Sequence, residues 1–80
     1  MRVVTGRQLI RLLRRDGWEE VGRARHGIAF AKTVDGRKRV TVVPDKRSAL
    51  PIGTLNAILG PKQTGIGREG LEQLIAEHGL

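Results

Sequence analysis

Cysteine and tyrosine are both absent from these eighty residues, and the aromatic set is one Trp and one Phe. Without thiols there is no disulfide, no thiolate nucleophile and no cysteine-based metal centre. Two aromatics are too few for a platform on which successive bases stack. No segment approaches the roughly 20 apolar residues of a membrane span, and no N-terminal apolar run has signal-peptide length. The expectation is therefore a cytoplasmic protein that does not enter a membrane. A Gly-x-Ser-x-Gly elbow, a Walker loop and carboxylates paired at a sensible spacing are also missing. His26 and His78 stand far apart, and neither belongs to a spaced His/Asp/Glu cluster, so no metal or cofactor is expected. His78 sits where it complements the dipole of a last helix.

Acidic residues are scarce too: eight Asp/Glu against fifteen Lys/Arg, a formal charge of +7. The imbalance is uneven. Residues 1–47 hold thirteen Lys/Arg against five Asp/Glu, whereas residues 48–80 hold two against three. Eleven of the fifteen cations are arginine, which suits phosphate recognition because one planar guanidinium binds two oxygens at once. Such a balance points to a polyanionic partner: nucleic acid, an anionic membrane surface or an acidic protein. Eighty residues make a single domain, 1–80, with one modest core. A hydrophobic content of 39% is enough to pack it.

Thr5-Gly6-Arg7-Gln8 has the spacing of a capping box. Leu9, Ile10, Leu12 and Leu13 then form one apolar helical stripe, with Arg7, Arg11, Arg14 and Arg15 opposite it. Gly17 is a natural stop. From Trp18 the period changes, and strands are expected at Trp18 to about Arg23, Ile28 to Lys32 and Arg39 to Val43. Asp35-Gly36 supplies a hairpin turn between the second and third. Val40 and Val42 alternate with Arg39 and Thr41, as in a half-buried strand, and Pro44 ends it. Residues 44–51 read as loop. Ile52, Leu55, Ile58 and Leu59 recur at helical spacing until Gly60-Pro61. A glycine-rich connection, Lys62 to Gly67, leads to a last helix carrying Leu71, Leu74 and Ile75. Its spacing does not match a phosphate-binding P-loop, and a helix-to-helix connection with Ile66 plugging the core fits better. The expected fold is α+β, in the order α-β-β-β-α-α: a three-stranded antiparallel meander with helices packed on one face.

One constellation could carry chemistry. His26 lies in the basic stretch Arg23-Ala24-Arg25-His26, just before a strand that contains Lys32. An imidazole exchanges protons near neutral pH, and the cations around it could hold a polyanion. The residues alone fit either proton transfer by His26 or an exposed histidine at a strand end.

The motif order resembles the HicA family, the mRNA-cleaving toxins of toxin–antitoxin pairs. The matching pieces are Thr5-Gly6-Arg7-Gln8-Leu9-Ile10-Arg11-Leu12-Leu13, Asp16-Gly17-Trp18, the His26 strand, Asp35-Gly36-Arg37 and Val40-Thr41-Val42-Val43-Pro44. Gly53-Thr54-Leu55, Ile58-Leu59 and Ile66 follow in the family's order. The resemblance spans almost the whole chain. It implies a double-stranded-RNA-binding-domain-like fold and RNA cleavage that depends on one histidine and no metal. It also implies neutralisation by a HicB-like antitoxin. Carried over by position, His26 is the catalytic histidine. Where the family usually has Gly-Ser-His, this chain has Ala24-Arg25-His26.

The reaction so implied is phosphodiester transesterification, with neutral His26 as general base on the ribose 2′-hydroxyl. Arg25, with Arg23 or Lys32, would bind the RNA and stabilise charge on the phosphoryl oxygens. The alternatives are a non-catalytic RNA-binding module, gripping phosphates and 2′-hydroxyls, and an interaction protein that docks an acidic partner.

Overall fold

A computed structural model describes residues 3–80, so Met1 and Arg2 of the expected domain lie outside the described residues. Thr5 caps the first helix, α1 (Gly6–Arg15). Its hydroxyl accepts from the Gln8 backbone N–H at 3.1 Å, and the Gln8 side chain accepts from the Thr5 N–H at 2.9 Å. Two amides that a helix start leaves unpaired are thereby satisfied. Leu9, Ile10, Leu12 and Leu13 are buried and the four arginines are exposed. Gly17, at φ 92, turns the chain out of the helix into a region that favours glycine. Trp18 is buried just before β1 (Glu19–Ala24).

β1, β2 (Gly27–Val34) and β3 (Arg37–Val43) form one antiparallel sheet with β2 in the middle. Asp35 and Gly36, at φ 52 and 77, make the tight turn between β2 and β3. Two left-handed residues match the twist of the flanking strands. A bulge at Val21 shifts the β1 register, so that Glu20 faces Phe30 while Gly22 faces Ala29. Two helices complete the chain, α2 (Ile52–Leu59) and α3 (Gly67–His78). The order is α-β-β-β-α-α, an α+β fold, as the sequence suggests. Among the described residues no helix is long and apolar enough to cross a membrane.

The alternation along β3 is real, but its buried side is the opposite of what the valines suggest. Val43 pairs with Ile28 in the core, and period two then turns Thr41 and Arg39 inward. Val40 and Val42 are left 47% and 37% exposed on the outer face. The two polar side chains find partners in the turn after α2. The Thr41 hydroxyl donates to Gln63 Oε1 at 2.6 Å, and Arg39 donates to the Pro61 and Gln63 carbonyls at 2.9 and 3.2 Å. That turn is the connection the sequence favours over a phosphate cradle. The Thr64 hydroxyl closes it on the Ile58 carbonyl at 2.6 Å, and Ile66 packs against the core.

After β3, residues Pro44 to Lys46 pass through a narrow gap. A Cβ on Gly6 would come 1.9 Å from the Pro44 carbonyl oxygen, and one on Gly27 would come 2.2 Å from that of Val43. The segment is held there by backbone bonds: Arg7 N–H donates to the Lys46 carbonyl at 3.0 Å, and Leu50 N–H to that of Val4 at 2.8 Å. Gly6→Ala forces this backbone apart. The expected cost is about 1–3 kcal/mol, read as a lowered urea midpoint with an unchanged slope.

Candidate active site

β1 and β2 are joined by Arg25 and His26 alone, since Ala24 and Gly27 form the last pair of the ladder. Neither loop residue has positive φ, so the turn accepts two full side chains. Both are exposed, and neither has a hydrogen-bond or ion-pair partner among the described residues. The His26 imidazole therefore stands unpaired at one end of the sheet.

His26 borders a concavity of about 380 Å³ together with Arg23, Arg25, Asp45 and Lys46. The floor is the Pro44–Lys46 segment that Gly27 admits. Asp45 lies between two cations, 3.5 Å from Arg7 Nε and 3.8 Å from Arg23 Nη1. These contacts tie α1 to β1, but both are longer than a close charged hydrogen bond of roughly 2.7–2.9 Å. With side chains one-third to two-thirds exposed, they stay open to solvent screening. Lys46, like Arg25, is exposed and has no side-chain partner among the described residues. The concavity thus holds one carboxylate against three cations beside the imidazole.

Arg23, Arg25 and His26 are brought together; Lys32 is not. It lies six residues further along β2, about 20 Å of extended chain. Its ammonium donates to the Asp16 carbonyl oxygen and reaches Asp16 Oδ2 at 3.3 Å, closing the exit of α1. Lys46 takes the place in the site that sequence reasoning gave to Lys32. Asp45 and Lys46 were hidden in a stretch read as loop, although a signal was present. The two-residue Asp35-Gly36 turn pairs the start of β2 with the end of β3, so whatever follows Val43 must emerge beside His26. His78 is remote from this site, in the last turn of α3, 3.7 Å from Glu77.

A second concavity, of about 600 Å³, also has His26 on its border. Its lining is mostly apolar: Val42 and Pro44 from β3 and the residue after it, Ala57 and Ile58 from α2, with His26, Thr54 and Gln63 as the polar members. His26, Ala24 and Pro44 border both hollows. Among the described residues, no group of three or more His, Cys, Asp or Glu could hold a metal ion.

Lys32→Met tests the separation of roles. Stability should fall by about 1 kcal/mol, the size of one lost hydrogen bond at a half-exposed site, while the NMR signals of His26 and Arg25 stay in place.

A family model described as HicA toxin of bacterial toxin-antitoxin matches residues 6–66. The span runs from the first residue of α1 to Ile66 and includes every side chain around His26. No curated protein and no solved structure matches the chain.

Proposed function

The chain belongs to the HicA toxin family, the toxin half of a bacterial toxin–antitoxin pair, and from that premise we propose a metal-independent endoribonuclease that cleaves mRNA with His26 as general base. The observation that carries the proposal is the unpaired imidazole at the rim of a cationic hollow. A phosphodiester needs a base that is not already engaged, with positive charge around the phosphoryl oxygens. His26 provides the first; Arg25, Arg23 and Lys46 provide the second.

In the reaction, neutral His26 takes the proton of a ribose 2′-hydroxyl. The 2′-oxygen forms a bond to the adjacent phosphorus as the bond to the 5′-oxygen breaks. The imidazolium, directly or through one water, returns the proton to the departing 5′-oxygen. The products are a 2′,3′-cyclic phosphate and a 5′-hydroxyl end. The cations around the hollow offset the charge that builds on the non-bridging oxygens, and Arg25 adds a guanidinium where the family usually carries a serine hydroxyl. DNA lacks the attacking group and should resist. As a member of this family the toxin has a cognate antitoxin; a HicB-like protein with an acidic face would complement the net charge of +7.

Inducible expression of the chain should arrest growth and deplete bulk mRNA. His26→Ala should relieve both and lower cleavage of purified RNA by about 100- to 10,000-fold, with RNA affinity retained. Equal mRNA loss with the two proteins would remove His26 from the reaction. RNA that is bound but intact after hours with the unaltered chain would mark a binding module instead.

A further inference from the structure

We infer that the apolar hollow bordered by His26 receives the base of the nucleotide whose 2′-hydroxyl is attacked, and that Gln63 reads that base. The inference rests on the ribonuclease reading above and adds a specificity site to it.

Three observations carry it. First, the two hollows are adjacent: His26, Ala24 and Pro44 border both. A nucleotide with its phosphate among Arg23, Arg25 and Lys46 and its ribose at His26 has its base directed across this divide. Second, the apolar hollow has the character of a base site. Val42, Pro44, Ala57 and Ile58 line it, and its volume of about 600 Å³ lies in the range of small-molecule pockets, roughly 300–1,000 Å³. Val42 is 37% exposed, so an apolar surface stands open there. Third, polar groups with spare capacity line it. Gln63 accepts from the Thr41 hydroxyl through Oε1 at 2.6 Å, which orients the amide. Its Nε2 carries two N–H donors that reach no partner among the described residues. Thr54 adds a half-buried hydroxyl. Oriented donors in an apolar setting discriminate well, because a mismatched ligand leaves them unpaired.

The Gly53-Thr54-Leu55 motif then has two duties. Leu55 is core. Thr54 belongs to the base site, and Gly53 lines the same hollow.

The test uses an oligoribonucleotide cleaved at one position, and a copy in which the nucleotide 5′ to that position lacks its base. Ala57→Leu narrows the hollow from an exposed helix position that accepts leucine. It should raise KM for the normal RNA about tenfold, the scale of one lost base contact, and leave the base-free copy unaffected. Gln63→Glu keeps the acceptor for Thr41 and replaces the two donors; it should reorder the four bases in cleavage rate. Equal slowing of both RNAs by Ala57→Leu, or an unchanged base order with Gln63→Glu, overturns the inference. Should the unaltered chain cleave no RNA, the ribonuclease reading fails separately. The hollow is then probed with the four nucleoside 3′-monophosphates by NMR. Shifts in the Val42 and Ala57 methyl signals that differ among the four bases support the inference, and their absence overturns it. Loss of antitoxin binding in Ala57→Leu with nucleotide binding unchanged would assign the surface to the antitoxin and overturn it as well.

Discussion

The Pro44–Lys46 segment can lie where it does because neither Gly6 nor Gly27 carries a side chain, and the shape of the end that displays His26 depends on that double close approach. A methyl group on either glycine would overlap backbone atoms, which cannot swing aside as a side-chain tip can. Once seated, the segment accepts a hydrogen bond from the start of α1 and sets Asp45 between an arginine of α1 and one of β1. The ion pairs themselves contribute little, being exposed. The fit of the backbone fixes the floor of the cationic hollow, and the charges follow from it.

Net charge is a poor guide to where this surface is available. Three of the four arginines on α1 are engaged within the molecule: Arg7 with Asp45, Arg11 with the Leu80 carbonyl oxygen, and Arg14 with Glu20 at 2.8 Å. Arg14 also lies over the Phe30 ring, 5.9 Å from its centre, a favourable position for a cation. The basic helix face so prominent in the sequence thus does much structural duty. Arg25, conspicuous beside His26 in the sequence, and Lys46, which was not, are the cations without such commitments beside His26.

Local chemistry was legible. The Thr5/Gln8 box, the stop at Gly17, the Asp35-Gly36 turn and the helix from Ile52 to Leu59 each depend on residues a few positions apart, and each stands where the spacing puts it. The face of β3 was not legible, because it is decided by Val43 docking on Ile28 and by Gln63 accepting from Thr41 across the chain. Two valines exposed and a threonine buried is a tertiary outcome overriding local preference. Lys32 failed to join His26 for a simpler reason. Residues near in sequence on one strand are far apart in space, whereas Lys46, remote in sequence, is adjacent through antiparallel pairing. The hollow between Val42 and α2 had no sequence signature, since it exists only where a helix docks beside a sheet.

The bond from Arg7 to Lys46 joins opposite halves of the chain, and this bears on how the surface beside His26 is assembled. Hairpins such as β1–β2 close on a microsecond scale from neighbouring residues, whereas contacts across the chain must first overcome the entropy of a long loop. The strand end that displays His26 rests on contacts between near neighbours in the chain, and the floor of its hollow on contacts between distant ones. The concave surface beside His26 is therefore a product of the whole fold, complete only once the chain through Leu50 has docked against Val4.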